Sequence, residues 1–309
     1  MIINDLKKLS LLSLLAVTFS LTSCKEDDPL PPIDGYNSAD EVAKTDLVAY
    51  WPLNGNGAES ISNTNPNKSV GNSFEDGIKG QGLKLTAGYL SYPEIAALAA
   101  INGSITISSW AKISNTKTSA GANSTISPII SLTNPVEQMG NVSIFGNTHG
   151  LSSSDSIQMK AEYKIKGLDG NVFGGDALTY TKMESWQIDE NANGASPQHA
   201  AFANKIGGKW AQVVYRFFIQ DGKTYNQIFV NGVKISNPPF EKRSDMAIPF
   251  NQFTPSYPVL GALKTVVEGT NADVWNAALT GSIDEVRIFK KSLSDTEISA
   301  LYKLELAGR

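Results

Sequence analysis

From Ile157 to Ile165 the chain alternates without a break: Ile157, Met159, Ala161, Tyr163 and Ile165 are apolar, while Gln158, Lys160, Glu162 and Lys164 between them are polar or charged. Successive side chains of a strand point to opposite faces, so this run specifies a strand with one buried and one wet face. Shorter versions recur at Leu47, Ala49, Trp51 and Leu53, at Leu83 and Leu85, at Tyr89 to Tyr92, and at Ile105, Ile107, Ala111 and Ile113. Trp210 to Ile219 is nearly apolar throughout, which suits a central strand covered on both faces. Asn54-Gly55, Asp221-Gly222 and Asn231-Gly232 supply turns, the last two bracketing Tyr225 to Val230 as a hairpin strand. Only one helix start is written out in full: Ser294 as N-cap, Glu297 at N3, and Leu293 with Ile298 as an apolar staple. Many short strands and one helical turn predict an all-β fold: a two-sheet antiparallel sandwich with a short C-terminal helical turn.

The last strand, 281 to 289, carries charges. Unbroken alternation would place Val286 and Ile288 in the core with Asp284 on the same inward face, and would send Glu285 and Arg287 outward. An inward carboxylate needs a strong partner, because an unpaired buried charge is costly.

A chain of 309 residues has room for one large β domain or two small ones, and the strand pattern continues without a linker. One domain over 46–309 is expected, with a Ser, Thr, Asn and Gly loop at 114–126 and a long insertion at about 167–208. A net charge of −4 and scattered Lys and Arg argue against nucleic acid. The single cysteine, Cys24, excludes an intrachain disulfide, and two histidines without a Cys cluster do not indicate zinc.

Lys7 and Lys8 precede an apolar run, Leu9 to Phe19, too short to span a bilayer but suited to the core of a signal peptide. Leu21-Thr22-Ser23-Cys24 resembles the bacterial lipobox, in which cleavage precedes a cysteine that is then lipidated. The resemblance implies a signal peptide over 1–23 and lipidation of Cys24, anchoring through several acyl tails at about 0.8 kcal/mol per buried CH₂. Lys25-Glu26-Asp27-Asp28 resembles the export signal of surface lipoproteins in Bacteroidetes-type bacteria. Pro29, Pro31 and Pro32 stiffen the adjoining segment, so 24–45 is expected to be a spacer between an outer membrane and the domain.

Residues 281–289 (GSIDEVRIF), the following Leu-Ser-x-x-Glu-Ile turn and Leu301-Tyr302 resemble the end of laminin-G-like, concanavalin A-like lectin and glucanase jelly-roll domains. So do LVAYWPLNGN at 47–56, GSITISSWAKI at 103–113, KWAQVVYRF at 209–217 and IFVNGVKI at 228–235. Together they cover most of the chain beyond the leader, and the fold they imply hosts lectins, hydrolases and adhesive modules alike. The resemblance also implies a structural calcium ion (Ca2+) near Asp284, with Asn54, Asn56 and Glu59 supplying further oxygens. The family often has an aspartate near the position of Glu59. The alternative is that Asp284 accepts main-chain N–H bonds from a neighbouring loop and binds nothing.

Lectins pair an aromatic platform with amide and carboxylate acceptors. Tyr180 and Trp186, with Gln187 and Asp189, have that chemistry inside the long insertion, and Trp275 near Asn271 and Asp273 is a second cluster. For each of these aromatics the more common role is to pin its loop to the sandwich, and Trp51, Trp110 and Trp210, in strands, are expected to serve packing. Glycoside hydrolysis needs two carboxylates about 5–10 Å apart. Related glucanases carry a Glu-x-Asp-x-x-Glu run, which this chain lacks. The expectation is therefore a lipid-anchored surface protein that binds a polysaccharide without chemistry, beside other proteins of a polysaccharide-uptake system. Adhesion to a host or matrix protein is the alternative, and a diverged glycoside hydrolase the third.

Overall fold

Every stretch with period-two alternation becomes an antiparallel strand. The computed structural model describes residues 30–113, 125–147, 157–177, 206–236 and 241–309, and Pro32–Arg309 form one compact unit. In chain order the strands are β1 (Leu47–Trp51), β2 (Lys68–Asp76), β3 (Gln81–Ser91), β4 (Asn102–Gly103), β5 (Ile105–Ile113), β6 (Ile126–Leu132), β7 (Val142–Asn147) and β8 (Gln158–Lys166). They continue with β9 (Val172–Ala177), β10 (Trp210–Gln220), β11 (Lys223–Val230), β12 (Val233–Lys234), β13 (Lys242–Ser244), β14 (Phe250–Asn251), β15 (Pro258–Leu260) and β16 (Leu279–Phe289). Three α-helices, α1 (Ala96–Ala99), α2 (Lys264–Glu268) and α3 (Asp295–Leu306), and two short 3-10 turns, Ala39–Glu41 and Lys44–Asp46, complete the described elements.

Hydrogen bonding links the strands in the order β12-β11-β10-β5-β16-β3-β15-β6-β7-β8-β9. The continuous ladder folds into a sandwich because β3 serves both layers. Its first half pairs with β16 (Leu83 opposite Ile283), and its end pairs with β15 (Leu90 opposite Leu260). Ala87, at φ +45°, lies between the two halves. The layers then face each other across one apolar core, with Ile107, Ala111, Val213 and Phe217 on one side and Ile144, Met159, Ala161 and Tyr163 on the other. Tyr163 and Phe217 meet edge to face across that core, with centroids 5.1 Å apart. This is the all-β, two-sheet antiparallel jelly-roll sandwich that the alternation specified.

The near-apolar run of β10 is covered on both faces. Val213, Tyr215 and Phe217 enter the main core, while Val214 joins a second cluster with Phe229, Phe289, Leu293, Ile298, Leu301 and Leu304 beneath α3. The helix is twelve residues long, more than the turn expected, and it begins with the predicted capping box. The Ser294 hydroxyl accepts from Glu297 N–H, and the Glu297 carboxylate accepts from Ser294 N–H.

Two expectations are corrected. The first concerns β16, where Asp284 pairs with Trp110 but Arg287 pairs with Ser108, so β16 carries one extra residue and a bulge. Glu285 takes φ +48° at that point. The bulge breaks the alternation, so Ile283 and Val286 both face the main core, and Asp284 stands opposite Trp110 on the outer face. Glu285 and Arg287 are on the outer side but not in water, because α3 lies over them. The second concerns the spacer, expected to run to residue 45. Ile33, Tyr36, Ala39 and Val42, spaced by three, pack into the cluster beneath α3. Ala39 N–H also bonds the carbonyl of Arg309 at 3.2 Å. Residues 33–43 are thus a strap belonging to the domain.

Val42→Asp puts a carboxylate among Ile298, Leu301 and Leu304, and should lower the unfolding free energy in urea by about 2–4 kcal/mol. A spacer residue would give no measurable change.

Candidate functional site: a cleft beside the C-terminal helix

The outer face of the β10–β5–β16 sheet is organised by a buried cation. Arg287 is 1% exposed and reaches Glu285 at 2.6 Å, Glu305 at 2.9 Å and Asp40 at 2.8 Å. Its guanidinium lies over the Tyr50 ring at 3.9 Å. The other oxygen of Glu305 accepts from Trp110 Nε1 at 2.7 Å and from Gln212 Nε2 at 3.0 Å. One carboxylate on α3 therefore binds side chains of β5, β10 and β16, and Asp40 brings the strap to the same cation. Burial pushes Glu305 up to about 7; Arg287 opposes the shift and Glu285 adds to it. Burial works against the Arg287 charge, but Glu305, Tyr50, Glu285 and Asp40 together hold it above the usual arginine range.

With helix and strap held in place, a cleft of about 660 Å³ opens between them and β10–β11. Tyr36 and Asp34 of the strap form one wall, Phe218 and Gln220 of β10 the floor, and Ser292, Thr296 and Glu297 at the helix start the other wall. Arg216 supports the floor from within. Its Nε bonds Gln227 Oε1 at 2.7 Å, Nη1 bonds the Leu293 carbonyl at 2.5 Å and Nη2 bonds Asp295 at 2.6 Å. The guanidinium also lies 5.2 Å from the Phe218 ring centre and 4.9 Å from that of Phe229. Arg216 is thereby committed to building the cleft. The Tyr36 hydroxyl and the Ser292 and Thr296 side chains have no partner among the described residues and line the opening. Burial pushes Glu297 up, but its bonds from Lys291 and from Ser294 N–H outweigh this and keep it below the ordinary glutamate range.

The structure places the sequence-predicted residues elsewhere. Asp284 Oδ2 accepts Ile78 N–H at 2.7 Å and Lys79 N–H at 3.2 Å, and Oδ1 accepts Glu285 N–H at 2.9 Å. Glu59 accepts Tyr50 and Ile61 N–H on one oxygen, and Ser62 N–H and hydroxyl on the other. Asn54 Oδ1 accepts Gln81 N–H at 2.7 Å, and Asn56 Oδ1 accepts Ala58 N–H at 3.0 Å. These oxygens face N–H and O–H donors, which do not suit a cation cage, so the four residues do not fit calcium in this arrangement. Among the described residues, no three His, Cys, Asp or Glu side chains gather as a metal site. Trp275 is half-buried against Ile126, Phe145, Leu263 and Met139. Tyr180, Trp186, Gln187, Asp189 and Cys24 lie outside the described residues. Arg216 and Tyr36 were not among the residues expected from sequence. The signal for Arg216 is a charge inside an otherwise apolar strand, and for Tyr36 the three-residue spacing of the strap.

The class defined by this architecture is an all-β jelly-roll sandwich domain with a helix-covered outer face. The FHA domain family matches residues 174–249, well under half of the chain. No curated protein matches the sequence. Among solved structures, the botulinum neurotoxin serotype D/C VPI 5993 binding domain is 16% identical over 85% of this chain and 53% of its own, with a TM-score of 0.50. The botulinum neurotoxin serotype C1 binding domain is 15% identical over 84% of this chain and 52% of its own, also at 0.50. A Trypanosoma rangeli sialidase mutant displaying trans-sialidase activity is 12% identical over 84% of this chain and 33% of its own, at 0.48. The chain spans about half the length of the toxin domains, and at these identities the likeness is one of fold.

Burial, with Glu285 adding to it, pushes Asp284 up to about 7 against the pull of its three N–H donors. A carboxyl raised on folding gives stability that is fully present below its unfolded pKa of about 4 and lost as pH rises through the folded value. Asp284→Asn should therefore flatten the fall in melting temperature between about pH 4 and pH 7. It should also lower the melting temperature at acid pH, to the same extent in calcium and in chelator. A calcium-dependent difference would restore the metal reading.

Proposed function

We propose that this protein is a non-catalytic binding module that captures a glycan in the cleft between strap, helix and β10. The observation that carries this reading is the Tyr36 ring beside amide and hydroxyl groups around one concavity of about 660 Å³, with buried Phe218, stacked on Tyr225, as its floor. A sugar offers a carbon face for a ring and a rim of hydroxyls for Gln220, Ser292 and Thr296, and the volume suits a small-ligand site. Binding rather than hydrolysis is favoured by where the carboxylates lie. Asp284 and Glu305, the two raised to about 7, are sealed in the protein. Glu297, which does line the cleft, is held low and ionised, opposite to what a general acid needs.

The reading places the protein on the surface of an outer membrane, anchored by acyl chains on Cys24 and working beside other polysaccharide-uptake proteins. Among the described residues no helix is long and apolar enough to cross a membrane. The lipid anchor rests on the Leu21–Cys24 motif and on Cys24 being the single cysteine. Intact mass of the mature chain should show loss of residues 1–23 and added acyl mass on Cys24. Unmodified Cys24 with the leader retained would refute the anchor.

On a glycan array the protein should bind a defined glycan set. Tyr36→Ala should weaken that binding by roughly tenfold, the loss of one sugar-stacking ring, and should also lower the melting temperature modestly because the ring packs against the cluster beneath α3. No glycan signal, together with binding to matrix proteins, would move the assignment to an adhesive module. Reducing-sugar release from β-glucans or galactans would move it to a hydrolase.

A further inference from the structure

Next in sequence to Lys291, which lines the cleft, Lys290 lines a second, smaller hollow of about 360 Å³. Three pieces of chain converge there. Helix α1 is a single turn, after which Ile101 N–H bonds the Leu98 carbonyl at 3.1 Å and the chain swings into Asn102 and Ser104. Lys290 follows directly on β16, its N–H held by the Asp46 carbonyl at 2.9 Å. Val48 of β1 closes the base.

The resulting lining is of two kinds. Val48 and Ile101 are buried and form an apolar floor, with Ala100 beside them. Around the rim stand an amide, a hydroxyl and an ammonium, from Asn102, Ser104 and Lys290. None of these three side chains has a hydrogen-bond or ion-pair partner among the described residues. The neighbouring lysine shows the contrast, since Lys291 is tied to Glu297 at 2.6 Å. An unpaired ammonium beside an apolar floor is a site for an anion attached to a carbon skeleton, because the ion pair orients what the floor then covers.

We propose that this hollow binds a carboxylate-bearing sugar residue, a hexuronate, with the carboxylate on Lys290, ring hydroxyls on Asn102 and Ser104, and one carbon face on Val48 and Ile101. The choice of a sugar as the carbon body rests on the glycan reading of the neighbouring cleft; the anion and the size do not. A free phosphate or sulfate would leave the floor unused, and a fatty acid would leave Asn102 and Ser104 without hydroxyls to bond.

Isothermal titration of the full chain with sodium glucuronate, glucose and sodium acetate tests the assignment. Glucuronate should saturate the protein. Glucose, lacking the charge, and acetate, lacking the ring, should each bind about tenfold more weakly. Lys290→Met, at an exposed position, should weaken glucuronate about tenfold without moving the melting temperature, and the wild-type affinity should fall with added salt. Tyr36→Ala should leave the glucuronate isotherm unchanged. The inference is overturned if glucuronate gives no saturable signal, if glucose matches it, or if Lys290→Met binds it as well as wild type. Loss of glucuronate binding in Tyr36→Ala alone would put the acid in the cleft and also overturn it. Binding of neutral glycans without glucuronate would sink this site while leaving the cleft assignment intact.

Discussion

Arg287 is the interaction on which the outer half of the molecule depends. A guanidinium 1% exposed must have its charge answered inside the protein, and Glu285 and Glu305, both fully buried, answer it. Against a hydrophobic isostere such a pair adds little net stability, so what it sets is position. Apolar contacts alone would let a helix slide or rotate on a sheet, since Leu301 and Leu304 can rest on many arrangements of Val214, Phe229 and Phe289. Glu305 admits one arrangement, because its two oxygens must meet Arg287, Trp110 and Gln212 together. Asp40 extends the same constraint to the strap. The cleft exists because both its movable walls, strap and helix, are registered to one cation.

The bulge at Glu285 makes that cation possible. In an unbroken strand Ile283, Glu285 and Arg287 would share a face, and the core would have to accept either the charges or the loss of Ile283. One extra residue resolves the conflict: Ile283 and Val286 both go inward, and Asp284 and Arg287 both go outward. The cost is a non-glycine residue at φ +48° and a break in the ladder. Asp284 Oδ1 accepts the Glu285 N–H there, so a group that the broken ladder would have stranded is still satisfied.

How much of the fold is legible in the sequence depends on how local each determinant is. Alternation in β8, the hairpin turns around β11 and the Ser294–Glu297 capping box act within a few residues, and each stands in the structure as its pattern states. The fate of Glu285 and Arg287 is settled by Glu305, Asp40 and Tyr50, which lie far away in sequence. Period two alone therefore sends them into solvent. The strap is hidden for a similar reason. Pro29 to Pro32 read as a stiff spacer, and only the three-residue spacing of Ile33, Tyr36, Ala39 and Val42 distinguishes the next segment from more of the same.

The same distinction governs the candidate binding surface. Aromatic-rich insertions draw attention because rings stand out in polar loops, whereas Tyr36 and Phe218 line one cleft only after strap, helix and sheet have assembled. Arg216 shows how such a surface is made. It commits its donors to Gln227, to the Leu293 carbonyl and to Asp295, and lays its plane against Phe218. A charge so used contributes no free donor to a ligand, but it holds an aromatic floor and a helix start at one spacing. Preorganised walls lose little freedom when a ligand arrives, and for a sugar, whose hydroxyls are already well solvated in water, that saving is what leaves a surplus for binding. The groups left free around the cleft, the Tyr36, Ser292 and Thr296 hydroxyls, are neutral. The cation left free nearby, Lys290, lines the smaller hollow. Neutral and acidic parts of one glycan would therefore be met by two hollows of the same fold.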